Sequence, residues 1–248
     1  MNVQLNVNGF EYEASFTKDE VDNICIPILQ RITEIRKRLS RRAVVFLTAP
    51  PAVGKSTLSL FLEKLSHEIK GVIPIQSLSL DGFHYPNDYL KKKKIVFQGK
   101  EHYLYEIKGM PETFDLDKCK SYLKRIKNEN IRWPIYDRNI HDVVMDQILV
   151  EEQIVLVEGN WLLLDERGWR DLKQFCDYSI FISPYKKVLK DRLIHRKMKG
   201  GLNYKEALNF YIRSDSKNIE RVMEHRLKAD LELIVLKTGL KIKKDEED

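Results

Sequence analysis

The chain has 248 residues, 43% of them hydrophobic, which is enough to build one large α/β domain with a substantial core. No apolar run approaches the ~20 residues needed to cross a membrane, and the opening MNVQLNVNGFEYE lacks the basic and apolar regions of a signal peptide, so a cytoplasmic protein with no membrane partner is expected. The net charge of +6 suits a nucleic-acid binder or an enzyme acting on polyphosphates, while Cys25, Cys119 and Cys176 have no metal-ligand spacing and read as reduced thiols.

In chain order, Val3, Leu5 and Val7 alternate, then Phe10, Tyr12, Ala14 and Phe16, around Asn8-Gly9, which predicts a β-hairpin. Thr17 and Glu20 form a capping box for a helix carrying Val21, Ile24, Ile28, Ile32, Ile35 and Leu39, with Pro27 as a kink or restart. Residues 1–40 are thus expected as an N-terminal extension, 41–240 as the main domain and 241–248 as a charged tail. The apolar run from Ala43 to Leu47 predicts a buried strand, followed by a loop and a helix bearing Leu58, Phe61, Leu62 and Leu65. Further apolar runs at residues 71–80, 154–157, 178–182 and 231–235 alternate with helical stretches, the signature of a mostly parallel sheet covered on both faces. The basic run from Lys91 to Lys94 lacks the interleaved aromatics of a base-stacking surface and reads as a solvated loop.

Between the first buried strand and its helix lies TAPPAVGKST. Gly54, Lys55 and Ser56 fit the end of a phosphate-binding loop, Gly-x-x-x-x-Gly-Lys-Ser/Thr, but Ala49 replaces its first glycine and two prolines follow. Such a loop works through backbone N–H groups converging at a helix start, where the helix dipole favours anions. Pro50 and Pro51 have no N–H to give, so they must occupy the part of the loop where donors are not used. Ala52, Val53, Gly54, Lys55, Ser56 and Thr57 remain to hold the phosphates, with Lys55 reaching the outer ones and Ser56 taking a magnesium position. Ala49 is acceptable if its φ is negative, which the following prolines favour.

Two carboxylates follow strands. Asp81, in LSLDGFHYPNDYL, should stand at the carboxyl edge of the sheet and accept a hydroxyl proton during phosphoryl transfer, unless it only caps the next helix. Glu158, in IVLVEGNWLLL, either holds magnesium or is a plain loop carboxylate.

Together these residues resemble the phosphoribulokinase/uridine kinase/type I pantothenate kinase group of P-loop kinases, over roughly residues 43–236. DGFHYPN, KGMPETFD and VEGNWLL look like pantothenate kinase segments, and PIYDRNIH, residues 134–141, has the spacing of the uridine kinase acceptor loop. The chain is most similar to a bacterial branch described as nucleoside/nucleotide kinase-like or fructose-transport kinase-like. The resemblance implies a three-layer P-loop fold with a mostly parallel five-stranded sheet and a helical lid at about residues 184–215. It implies ATP and Mg2+ as cofactors, Lys55, Ser56 and Thr57 on phosphate and metal, Asp81 as base and Glu158 as the magnesium-associated acid. Arg192 and Arg196, four residues apart, would offer one lid-helix face to phosphate oxygens or form a solvated basic face.

For the acceptor, His84, Trp133, Tyr136, His141 and Asn218 are the candidate contacts, with Tyr103, Tyr105 and Glu112 as further candidates for lining the pocket. His141 and the two tyrosines serve equally well as structural residues. Trp133 stands where pantothenate kinases carry a substrate-binding histidine, and Arg138 stands where the uridine kinase pattern has an aromatic. Both departures favour a sugar-like hydroxyl compound over a nucleoside, and a nucleoside over pantothenate. The alternative reading is a nucleotide-binding regulatory or nucleic-acid-associated module that has lost transfer activity; nucleic acid is the less expected partner, and a homodimer is left open.

Overall fold

The computed structural model describes residues 1–7, 10–97, 99–184, 186–236 and 239–243. The expected Asn8-Gly9 turn and residues 244–248 of the expected tail lie outside the described residues, as does Tyr185 at the start of the expected lid.

Strands β1 (Asn2–Val7) and β2 (Phe10–Ser15) pair antiparallel as the expected hairpin. A first helical turn, α1 (Lys18–Glu20), begins at the Thr17/Glu20 capping box and passes through one π turn, Val21–Cys25, into α2 (Ile26–Lys37). Pro27 thus falls in the opening turn of α2, where its missing N–H costs little, and the expected kink takes the form of the π turn. The Glu20 carboxylate accepts from Thr17 N at 2.7 Å with one oxygen and from Leu240 N at 2.8 Å with the other. That second bond ties the N-terminal elements to the far edge of the sheet.

The chain continues through β3 (Ala43–Thr48), α3 (Lys55–Glu68), β4 (Ile75–Ser79), α4 (Asn87–Lys92), β5 (Lys94–Phe97), β6 (Lys100–Tyr103) and α5 (Leu116–Arg125). Then come β7 (Arg132–Asp137), β8 (Asp142–Leu149), β9 (Ile154–Gly159), β10 (Tyr178–Ser183), α6 (Lys186–Lys199), α7 (Tyr204–Phe210), α8 (Ser216–Glu224), β11 (Leu231–Leu236) and β12 (Gly239–Ile242). The main sheet has the order β12-β11-β10-β3-β9-β4. Its five strands from β11 to β4 are parallel, as expected, and β12 adds a sixth, antiparallel edge. The Lys91–Lys94 run is exposed but is not a loop, because it ends α4 and begins β5. No helix among the described residues is long and apolar enough to cross a membrane.

Strand β3 is buried along its whole length, so alternate residues feed opposite faces of the sheet. Val45 and Leu47 join Leu29, Ile32, Phe61, Leu62 and the hairpin's Val3 and Leu5. Val44 and Phe46 join Leu123, Trp133, Trp161, Leu172 and Phe181 on the other side. The result is helix, sheet, helix, with β3 in the middle and its carboxyl end opening into the loop at residues 49–56. The N-terminal extension packs into the first of these cores, where Phe16 stacks on Phe61 at 3.8 Å between ring centroids.

Candidate functional site

Parallel register brings the chemical groups to one edge. Glu158 lies beside Leu47, the last residue but one of β3, on one side and Ser79, the last residue of β4, on the other. Its residue exposure is 4%, and three groups converge on it. Ser56 Oγ and Ser79 Oγ donate to Oε1 at 3.1 and 2.9 Å, and Lys55 Nζ stands 3.5 Å from Oε2. Oε2 itself is shielded from water and receives no hydrogen bond. A carboxylate buried this deeply beside a lysine and a serine hydroxyl offers hard oxygen ligands of the kind Mg2+ takes. Among the described residues no group of three or more His, Cys, Asp or Glu clusters to hold a metal; the oxygen-bearing groups gathered here are the Glu158 carboxylate and the Ser56 and Ser79 hydroxyls.

The loop itself differs from the expectation in one respect. Ala49 is not among the residues of positive φ, as required, and it is fully buried. The left-handed turn falls instead on Ala52, at φ 63°, and on Gly54, at φ 106°, which caps α3. Val53 turns its side chain into the core, so only its backbone can face a ligand. The N–H groups around residues 53–57 therefore gather at the start of a 14-residue helix, with Lys55 and Ser56 in its first turn.

Asp81 follows β4 in a short 3-10 turn, Leu80–Phe83, and its N–H donates to Ser79 Oγ at 3.2 Å. Ser79 thus links Asp81 to Glu158, a bridge that no sequence pattern had singled out. Gly82 explains how a second strand reaches the same place. A Cβ on it would lie 2.2 Å from Pro134 O, so only glycine lets β7 close against this turn. Trp133 fixes the contact by donating its indole N–H to Ser79 O at 2.9 Å. It is fully buried and packs edge-on to Phe83 at 4.8 Å, so the expected acceptor contact is a core side chain behind the Asp81 turn in this structure.

The β7–β8 hairpin presents Tyr136 and Arg138 beside Asp81, whose charge acts on Tyr136. Burial pushes the Tyr136 phenol up to about 12, with Arg138 opposing and Asp142 and Asp81 reinforcing. The phenol donates to His141 O at 2.7 Å, and Lys108 spends its ammonium on Tyr136 Oη, Asn87 Oδ1 and His141 O at 2.9, 2.7 and 3.1 Å. Lys108 therefore staples the hairpin, a role hidden in sequence because its partners lie in two segments distant from it, Asn87 and the hairpin at residues 136–141. His141 enters through its backbone, at φ 54°, while its side chain is exposed. His84 is buried, stacked on Phe114 at 3.7 Å and next to Thr113 O at 3.2 Å; burial holds its imidazole down at about 4 despite the pull of Asp81. It is a neutral wall of the site rather than an exposed contact.

After β10 come α6 and α7, then a π turn at Tyr211–Asp215 and α8, and the charge of Asp81 acts on Arg196 of α6. Arg196 is open to solvent yet crowded by protein. That crowding pushes its guanidinium below the ordinary value, with Arg138 adding repulsion and Asp215 and Asp81 opposing. Arg192, one turn earlier, is exposed. Asn218 is 6% exposed on α8 with its Oδ1 unpartnered. Glu112 serves α8 instead of the acceptor wall, because together with Glu166 it clamps Arg221, at 2.7 Å from Glu112 Oε1. Tyr103 and Tyr105 are exposed, with Lys94 and Lys91 over their rings at 4.9 and 5.3 Å. A basic depression lined by Arg36, Arg41, Arg42 and Lys127 sits at the other end of the sheet. Its arginines are spent on structure, Arg41 on Asp177 and Arg42 on the carbonyls of Ile126, Glu129, Val150 and Glu152.

Residues 44–238 match the phosphoribulokinase/uridine kinase family. Protein YggC of Escherichia coli (strain K12), itself uncharacterized, is 41% identical over 93% of this chain and 94% of its own length. The pantothenate kinase of Ligilactobacillus salivarius (strain UCC118) is 30% identical over 58% of this chain, a match that takes in 46% of that enzyme. The crystal structure of the "putative fructose transport system kinase" from Silicibacter sp. TM1040 superposes with a TM-score of 0.74 and 32% identity, covering 88% of this chain and 99% of that one.

Proposed function

The chain belongs to the phosphoribulokinase/uridine kinase family, and from that premise we propose that it transfers the γ-phosphoryl group of ATP to a hydroxyl of a small sugar-like metabolite. The observation that carries this reading is the shared hold on Glu158: Lys55 and Ser56 from the loop on one side, Ser79 and through it Asp81 on the other.

In this reading the backbone N–H groups of residues 53–57 bind the β- and γ-phosphates, and Lys55 leaves Glu158 to pair with them. Ser56 and Glu158 are the residues that would hold Mg2+, which supplies charge neutralisation to the phosphates when bound. Asp81 accepts the proton of the attacking hydroxyl, and the buried Trp133 and the missing Cβ of Gly82 keep the acceptor wall against it. Arg196, and with it Arg192, closes from the lid to offset charge on the transferred group and to exclude water. Tyr136, the backbone of His141, and Asn218 would bound the acceptor. The sugar-like acceptor is favoured by the likeness to the structural neighbour described as a putative fructose transport system kinase, 99% of which is covered.

Asp81→Asn tests the assignment. In an ADP-release assay across sugars, polyols, nucleosides and pantothenate, turnover with any accepted substrate should fall ~10²–10⁴-fold while ATP still raises the melting temperature. Unchanged turnover in this variant would remove Asp81 from the base role, and release of ADP with no member of the panel would remove the kinase reading.

A further inference from the structure

Arg196 has the charges of Asp215 and Asp81 acting on it, whereas its neighbour Arg138 is in no ion pair among the described residues. Arg138 lies in the turn of the β7–β8 hairpin and Arg196 on α6, near enough for the Arg138 charge to repel the Arg196 guanidinium. Arg138 is half-buried, and its Nε is shielded from water with no hydrogen-bond partner. Arg226 provides the contrast: its Nε is shielded in the same way, but its guanidinium is paired with Glu232 at 2.7 Å. Among the described residues Arg138 makes no ion pair and no hydrogen bond. Lys108, the other cation on this wall, has its ammonium fully committed to Tyr136, Asn87 and His141, so it is not free to receive an incoming anion.

A half-buried arginine facing another cation, with a shielded donor unspent, is costly unless an anion completes it. Nucleotide phosphates provide for the lid and for Lys55. They do not account for a second arginine in the turn that follows β7, two residues beyond Tyr136.

We infer that Arg138 is a specificity-determining residue for an acceptor that carries its own oxyanion group, a phosphate monoester or a carboxylate, in addition to the hydroxyl that is phosphorylated. The planar guanidinium fork takes two oxygens of such a group, which orients the hydroxyl toward Asp81. This rests on the kinase reading above and names its substrate class.

The test uses the full chain with its nucleotide site filled by Mg2+ and a non-hydrolysable ATP analogue, so that triphosphate sites are no longer open to an added anion. Inorganic phosphate and, separately, acetate are titrated by calorimetry into the wild type, Arg138→Gln, Arg138→Lys and, as a control at an exposed arginine paired with Glu129, Arg125→Gln. Phosphate or acetate should bind the filled wild type, the preferred one revealing which oxyanion the site takes. Binding should weaken at least about tenfold in Arg138→Gln, recover in part in Arg138→Lys and stay unchanged in Arg125→Gln. Absence of anion binding to the filled wild type, or equal binding in Arg138→Gln, overturns the inference. In turnover assays, Arg138→Gln should raise KM about tenfold or more for an anionic acceptor and leave KM for ATP unchanged. A preference for neutral sugars over their phosphates and acids overturns the inference while sustaining the kinase reading. Anion binding that depends on Arg138, together with no transfer to any acceptor, does the reverse.

Discussion

Replacing Gly82 by alanine tests whether the acceptor wall is held where the chemistry needs it. The added Cβ would lie 2.2 Å from Pro134 O and 2.5 Å from its carbonyl carbon, both backbone atoms that no rotamer change can move aside. Ordinary contact begins at 3.4 Å, so β7 and the Asp81 turn must separate by about 1 Å. Overpacking of this kind costs about 1–3 kcal/mol, or a fall of roughly 2–12 °C in melting temperature for a chain of this size. The same separation stretches the Trp133–Ser79 bond, 2.9 Å in the native wall, and moves Asp81 relative to Tyr136. A displacement of ~1 Å at a reacting group costs about 10²-fold in rate. Differential scanning fluorimetry would read the first effect, and steady-state ADP release with an accepted substrate the second. The ATP-dependent rise in melting temperature should persist, because the loop at residues 49–56 is built from other strands. Gly200→Ala is the control, since its Cβ would meet nothing closer than Lys197 O at 3.3 Å. Wild-type stability and turnover in Gly82→Ala would refute the claim that this glycine seats the wall.

His84, held neutral by burial at about 4 instead of 6.5, binds fewer protons when folded than when unfolded, so its contribution to stability is lost as pH falls below the unfolded value. Urea unfolding at about pH 7 and about pH 5 should show the wild type losing about 2 kcal/mol more than His84→Gln, and equal losses would show that His84 does not set the slope. Glu20→Ala removes a helix cap and strands the Leu240 N–H, with an expected loss of about 2–4 kcal/mol in urea unfolding. A loss under ~0.5 kcal/mol would mean that the link between the N-terminal helix and β12 is ornamental.

The fold and the phosphate end of the site were legible because they rest on local signals. Five apolar runs became the five parallel strands, and Gly54-Lys55-Ser56 fell between β3 and α3 as its spacing requires. The wall opposite was legible only in part. Trp133 looked like a contact because it stands where pantothenate kinases carry a substrate-binding histidine, but the strand buries it against Phe83. The positive φ at Ala52 was invisible, since alanine carries no preference for it and the prolines drew attention to Ala49. Ser79 and Lys108 were missed for a common reason. Each acts by joining segments that are far apart in the chain, as Lys108 does with Asn87 and the hairpin at residues 136–141, and one sequence records neither partner. The edge strand β12 was missed because four residues, half of them exposed, carry little hydrophobic pattern.

The carboxylate of Glu20 gives the assembly an order in time. One of its oxygens is engaged as soon as Thr17 is within reach, but the other waits for Leu240, which leaves the ribosome 220 residues later. During synthesis at ~5–20 residues per second, the first helix would therefore spend tens of seconds with half of its anchor unclaimed. Closure of that last bond joins the earliest and latest described segments of the chain, so a nascent chain that stalls before residue 240 holds its catalytic loop without the clasp that secures the finished fold.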